Sequence, residues 1–201
     1  QHQFVYQRLS LNGLTTLSGR QAEVLARNRD GDLCLNGLKY LPLETARALA
    51  LHGKAVHLNG LVSLSREAAQ ALASGTCDVH LDGLKSLTDE AAEALTQTAP
   101  ESPHAFRKLS LNGVTSLSVR QAEGLAKHRG PLWLDGLTVI PPDVARALSR
   151  SSGLLYLNGL SSLSAPVARE LANHRYVYLN GLSTLSPEVA KELAKIRGSV
   201  E

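Results

Sequence analysis

The chain has 201 residues, of which 43% are hydrophobic and only 4% aromatic, and its 21 basic and 18 acidic residues give a formal net charge of +3. Its apolar runs are a few residues long, far below the roughly 20 that span a bilayer, which excludes a membrane-spanning helix. Two cysteines, Cys34 and Cys77, are too few for a disulfide framework.

One short sequence recurs along the whole chain. "LSLNG" at residues 9–13 returns at residues 109–113, and weaker versions occur six more times. The second leucine of each "LxL" recurs at steps of 24, 23, 23, 30, 23, 23 and 22 residues, at Leu11, Leu35, Leu58, Leu81, Leu111, Leu134, Leu157 and Leu179. A fixed period in this range predicts a solenoid, in which similar units stack and bury a shared core.

Each unit predicts the same elements in the same order. Leu9 and Leu11 alternate with Ser10, which indicates a short strand with one buried side. A glycine follows, where we expect a backbone conformation that a side chain would oppose. An Ala and a Leu three residues apart then share one face of a helix. Six units place a capping residue before it, namely Ser18, Ser65, Thr88, Ser118, Ser164 and Ser186. Eight units predict eight parallel strands with helices on the opposite side.

Residues 79–95, "VHLDGLKSLTDEAAEAL", carry the resemblance to a known family. They resemble the cysteine-containing subclass of leucine-rich repeats, and the resemblance extends from Leu9 to Arg197. The unit is a few residues shorter than that subclass, and its cysteine is replaced, at Leu14, Leu38, Leu84 and Val114 for example. The family implies a curved sheet that is concave and binds other proteins, with short helices on the convex side. Short repeats of this kind occur in bacterial proteins, so we expect a bacterial origin.

The units form two similar halves. Units start near residues 9, 33, 56, 79, 109, 132, 155 and 177, and the second four track the first four at offsets of 100, 99, 99 and 98 residues. This indicates duplication of a four-unit block. We expect one solenoid domain over residues 1–201, with blocks 1–99 and 104–201 joined by a loop at 96–108, because the leucine spacing resumes after it.

The residue between the paired leucines faces away from the predicted core and differs from unit to unit. We call these positions the outward row: Ser10, Cys34, His57, His80, Ser110, Trp133, Tyr156 and Tyr178. Because the leucines are common and this row is individual, we expect function here.

Three aromatic residues end the outward row. Trp133, Tyr156 and Tyr178 should stand about 4.8 Å apart on adjacent strands, with Tyr176 at the next outward position. Exposed aromatic side chains in a row are typical anchors for a protein partner. The alternative is a stack that only stabilises the sheet.

Cys34, His57 and His80 line up in the first block, with Asp32 and Asp78 nearby. Thiolate, imidazole and carboxylate groups can hold a metal ion, and imidazole can activate a thiol. However, strand spacing puts Cys34 and His80 about 10 Å apart, too far to share one ion. The favoured interpretation is a polar part of the binding face, to which His57 and His80 contribute, without metal.

Two further patterns have structural interpretations. The Asn or Asp before each glycine is expected to shape the turn through backbone hydrogen bonds. Basic residues follow four helices, in "LARNR", "LAKHR", "LANHR" and "LAKIR". Cations there suit the helix dipole, and we assign His52, His128 and His174 to the same role. Binding to nucleic acid is the disfavoured alternative, because acidic first turns interleave with these charges.

The sequence therefore predicts a non-enzymatic protein-binding module that needs no cofactor and contacts no membrane. The alternative is a structural role, either as a spacer in a longer array or as a protein that assembles through uncapped ends. Unpaired cysteines and an opening unlike a secretory signal favour the cytoplasm.

Overall fold

The computed structural model describes residues 7–28, 30–97 and 107–196. Eight strands alternate with eight helices in this part of the chain. The strands are β1 (Gln7–Ser10), β2 (Gly31–Cys34), β3 (Val56–His57), β4 (Val79–His80), β5 (Leu109–Ser110), β6 (Leu132–Trp133), β7 (Leu155–Tyr156) and β8 (Val177–Tyr178). The helices are α1 (Gly19–Ala26), α2 (Leu43–Leu49), α3 (Arg66–Ala73), α4 (Asp89–Ala94), α5 (Val119–Leu125), α6 (Pro142–Leu148), α7 (Ala165–Leu171) and α8 (Pro187–Leu193).

All eight strands form one parallel sheet in sequence order, and each helix packs against the next. Within the described residues β1 and β8 do not pair, so the sheet is open at both ends. The expected α/β architecture of repeating strand and helix is confirmed at this level. Among the described residues, no helix is long and apolar enough to cross a membrane.

The core consists of the leucines that define the period and of the helix faces above them. In the third unit Val56, Leu58, Leu61, Ala69 and Leu72 have no exposed surface, and one cluster of such residues extends from the first unit to the seventh. Small alanines on the helices allow the helices to lie close to the sheet.

The boundary between the blocks does not interrupt the sheet or the core. Strand β4 pairs with β5 through Val79 and Leu109, as other neighbouring strands do. Of the expected loop at 96–108, residues 98–106 lie outside the described part of the chain. Its last two residues, Arg107 and Lys108, lead directly into β5.

Side chains cap six helices, as expected. Each Ser or Thr cap accepts a hydrogen bond from the backbone N–H three residues ahead, and Ser18 and Ser118 complete capping boxes with Gln21 and Gln121. Helices α2 and α6 instead begin after proline and have no side-chain cap.

The Asn or Asp after each strand forms a ladder that links the units. The side-chain oxygen of Asn36 accepts the backbone N–H of Asn59 at 2.9 Å, and that of Asn59 accepts the N–H of Asp82 at 2.9 Å. The same bond joins the other neighbouring units, from Asn12 to Asn180. The expected hydrogen bonding is therefore present, but it joins one unit to the next and is not confined to a single turn.

The role expected for the glycine after this residue needs correction. None of the described glycines has a positive φ, so backbone conformation does not require them. Instead, the neighbouring unit leaves no room for a side chain. A Cβ on Gly60 would lie 1.8 Å from the carbonyl oxygen of Asn36. The exception is Gly13 in the first unit, where an added Cβ would meet no described atom within 4 Å.

Candidate binding face of the sheet

The strand register brings the outward row into one line across the sheet. Each of its members is paired with the next, from Ser10 opposite Cys34 to Tyr156 opposite Tyr178. Residues far apart in sequence therefore become neighbours at the spacing of adjacent strands.

The aromatic end of the row is a close stack. The ring centroids of Trp133 and Tyr156 are 4.2 Å apart with an interplanar angle of 2°, and those of Tyr156 and Tyr178 are 4.3 Å apart at 6°. The ammonium group of Lys108 lies 4.0 Å from the centroid of the Trp133 ring. Trp133 and Tyr178 thus cover the two faces of the Tyr156 ring. Tyr156 presents its edge and its hydroxyl group to solvent.

Exposure increases towards β8. Trp133 and Tyr156 are half-buried, whereas Tyr178 is 38% and Tyr176 40% exposed. The Arg175 guanidinium lies 5.3 Å from the centroid of the Tyr176 ring. Burial, and then the adjacent Tyr178, raises the pKa of Tyr156, so its hydroxyl group stays protonated and can donate a hydrogen bond at neutral pH.

The polar end of the row is also stacked. The rings of His57 and His80 lie 4.2 Å apart at 21°. Arg8 crosses from β1 to place its guanidinium 3.3 Å from Nε2 of His57, and the Asp32 carboxylate lies 3.6 Å from the same nitrogen. Burial, followed by the charges of His80 and Arg8, lowers the pKa of His57. This ring is therefore neutral at pH 7 and can serve as a hydrogen-bond partner.

Asp82 links the polar end of the row to Ser110 on β5. It accepts a hydrogen bond from the Ser110 hydroxyl at 2.6 Å and from the Asn112 N–H at 2.9 Å, and it lies 3.8 Å from Nδ1 of His80. Burial opposes ionisation, but His80 and these hydrogen bonds outweigh it and lower the pKa of Asp82 to about 2. The carboxylate is consequently charged and fixed in position.

Cys34 is in the row but is not accessible, which differs from the expectation. It is only 2% exposed. Asp78 accepts the backbone N–H of Lys108 at 2.8 Å. Across residues 7–28, 30–97 and 107–196, no group of three His, Cys, Asp or Glu side chains is arranged to hold a metal ion. Cys34, His57 and His80 therefore do not assemble into a ligand set.

The three histidines after the helices are not surface cations, which corrects the role assigned to them. His52, His128 and His174 are at most 3% exposed, and Nε2 of His128 lies 3.0 Å from the carbonyl oxygen of Arg107. Burial, and then the Arg107 charge, lowers the pKa of His128 to about 4. Burial also lowers the pKa of His174. His128 and His174 are therefore neutral at pH 7, and all three rings belong to the interior.

Some of the other basic residues after the helices form ion pairs. Lys127 pairs with Glu93 of the preceding unit at 3.2 Å, and Lys195 pairs with Glu192. Arg29 and Arg197, which belong to the same pattern, lie outside the described residues.

Sequence reasoning missed Arg8 and Lys108, the two cations that reach into the row. They occupy equivalent places in the two blocks, 100 residues apart and two residues before Ser10 and Ser110. Because side chains two apart on a strand share a face, this spacing was the available signal. The chain matches no protein-family model and no curated protein.

Proposed function

We propose that this chain is a non-enzymatic, leucine-rich-repeat-like module that binds a protein partner through the outward face of its sheet, the concave face in that family. The observation that carries the proposal is the stack of Trp133, Tyr156 and Tyr178. The repeat itself does not require aromatic residues at these places, because Ser10 and Ser110 occupy equivalent positions in the first and fifth units. Aromatic side chains are frequent anchors of protein interfaces.

The chemistry of the stack favours a particular kind of contact. Because Trp133 and Tyr178 cover the two faces of Tyr156, a partner meets the edge of that ring, whereas Tyr178 is 38% exposed. The three ring centroids follow one another at 4.2 and 4.3 Å, and the rings carry one indole N–H and two phenol groups. A partner surface that offers carbonyl or carboxylate oxygens would satisfy them, while the ring edges add apolar contact.

His57 and His80 extend the same surface towards β3 and β4. Their stacked rings add polar contacts, and Asp82 between the two ends adds a fixed negative charge. The proposal assigns these residues no catalytic role and requires no cofactor.

The experiment that tests the proposal compares three forms of the chain in affinity capture from lysate of the source organism. Trp133→Ala/Tyr156→Ala/Tyr178→Ala removes the stack. Tyr40→Ala removes an aromatic side chain that is 70% exposed elsewhere and serves as the matched control. Circular dichroism and urea unfolding verify that all forms are folded. We expect a protein that is captured by the wild type and the control but not by the triple variant.

A second measurement uses the fact that Trp133 is the only tryptophan in the chain. Titration with the purified captured protein should shift the fluorescence emission of Trp133. Where the captured protein contains tryptophan, its own emission spectrum is subtracted. Capture of the same proteins by all three forms, or an unchanged emission spectrum at saturation, would contradict the proposal.

A further inference from the structure

The junction between the two blocks shows how a fourth unit and a fifth unit pack together. The two ends of the described chain carry similar units that do not meet within one copy. The fourth and fifth units meet at the junction through Leu81, whose N–H donates to the Ser110 carbonyl at 2.8 Å, and through the Asp82 side chain, which accepts the Asn112 N–H at 2.9 Å. A Cβ on Gly113 would lie 2.1 Å from the Asp82 carbonyl oxygen. Close approach of backbones is therefore a property of this junction.

The ends of the described chain carry the counterparts of these two units. The first unit corresponds to the fifth, so Asn12 and Gly13 stand for Asn112 and Gly113. The eighth unit corresponds to the fourth, so Asn180 stands for Asp82. Among the described residues the Asn ladder begins at Asn12, stops at Asn180, and leaves open space above Gly13.

Apolar side chains that are buried at the junction are exposed at the ends. Leu87 is 8% exposed, whereas its counterpart Leu185 is 53% exposed. Val114 has no exposed surface, whereas its counterpart Leu14 is 38% exposed. Leu14 lines an open recess of about 480 Å³ with Leu11, Leu17, Val24 and Leu25.

From this correspondence we propose that the two ends bind each other between chains, so that the first unit of one copy stacks on the eighth unit of another. In this contact the Leu179 N–H donates to the Ser10 carbonyl, the Asn180 side chain accepts the Asn12 N–H, and Leu14 and Leu185 become buried. The contact is head to tail and does not close on itself, so it generates linear assemblies. By the same register Ser10 would lie opposite Tyr178, at the end of the aromatic stack. The contact does not rest on the proposed function.

Two differences from the junction between the blocks, both on the helical side, make the contact weaker. Arg27 and Lys191 replace the ion pair of Lys127 and Glu93 with two positive charges. Val24 replaces Gly124, where an added Cβ would lie 3.1 Å from the backbone of Glu93. Larger side chains do fit at this place, since Glu170 and Glu192 occupy it in the last two units.

The test is sedimentation velocity of the full chain across a range of concentrations. We expect the wild type to form progressively longer species as concentration rises. Gly13→Val fills the space that the carbonyl of a second copy would occupy, and in the single chain a Cβ at this position meets no described atom within 4 Å. Leu185→Glu charges the opposite end at an exposed site. Each variant alone should remain a folded monomer, which urea unfolding verifies.

A mixture distinguishes this geometry from any other. Gly13→Val has an open eighth unit and Leu185→Glu has an open first unit, so the two variants together should form a one-to-one dimer and nothing longer. A dimer of Leu185→Glu alone would indicate contact between two first units and would overturn the proposal. A wild type that stays monomeric at every concentration would overturn it as well.

Charge provides a variant that strengthens the contact. Lys191→Glu restores the arrangement of the Lys127–Glu93 pair by placing a carboxylate opposite Arg27. We expect association to tighten about threefold at low salt, with the gain reduced as salt increases. Unchanged or weaker association of this variant would count against the proposed orientation.

Discussion

The two blocks share one scaffold and differ on its outward face. In the first block the row reads Ser10, Cys34, His57 and His80, and in the second it reads Ser110, Trp133, Tyr156 and Tyr178. Ring stacking occurs in both, at 4.2 Å between the histidines and at 4.2 and 4.3 Å between the aromatic residues. The stacking geometry is thus imposed by the sheet, whereas the chemistry of each face is set by its side chains.

The largest effects should come from the scaffold and be equal in the two blocks. Gly60→Ala and Gly159→Ala each place a Cβ within 2.0 Å of a carbonyl oxygen of the preceding unit. We expect each to lower the free energy of unfolding by about 3 kcal/mol or more, because backbone has to move. Gly13→Ala is the control and should cost under about 1 kcal/mol. Urea unfolding measures all three, and a costly Gly13→Ala would refute the steric explanation.

The next effect is a pH dependence of the free energy of unfolding that comes from a buried histidine of the second block. His128 in the second block corresponds to Asn28 in the first. Its pKa falls from an ordinary 6.5 to about 4 in the folded chain. As pH decreases from about 6.5 to about 4, the unfolded chain therefore binds this proton first, and the free energy of unfolding should fall by about 3 kcal/mol.

His128→Asn should remove that part of the pH dependence, whatever it does to stability at pH 7. Urea unfolding between pH 7 and pH 4 measures it in both forms. Parallel curves for wild type and variant would show that His128 is not responsible.

A smaller effect compares the two stacks directly. Tyr156→Leu breaks two aromatic contacts, each of which contributes about 0.5–1.5 kcal/mol, so we expect a loss of about 1–3 kcal/mol. His57→Leu in the first block should cost less, because it removes one ring contact and a polar group that burial disfavours. If thermal or urea unfolding showed equal losses, the aromatic stack would have no special share in stability.

The smallest effect concerns the two cations. Lys108→Gln removes the charge over Trp133, and we expect a loss of about 0.5 kcal/mol together with a shift in tryptophan emission. Arg8→Gln is the matched substitution in the first block. Since Arg8 contacts His57, it should leave the emission unchanged. A similar spectral change in both variants would indicate a rearrangement of the sheet.

Period and alternation were sufficient for the scaffold. The spacing of Leu11, Leu35 and Leu58 placed the strands, and Ser18 and Thr88 marked helix starts, because these signals act within one unit. Properties that depend on contacts with neighbouring units could not be predicted from the sequence. Cys34 is buried although its place in the row predicts exposure, and the neutrality of His128 depends on burial beside Arg107. Gly60 was recognised, but its reason lies in the Asn36 carbonyl one unit away.

The Asn ladder also bears on how such a chain can change its length. Each unit supplies one acceptor to the unit after it and uses one from the unit before it, as Asn36 does with Asn59 and Asn12. Asp82 and Asp135 serve equally well, so the sole requirement is an acceptor oxygen at that place. For this ladder the units are interchangeable, so a recombination event that inserts or deletes whole units leaves the ladder bond at every remaining junction complete.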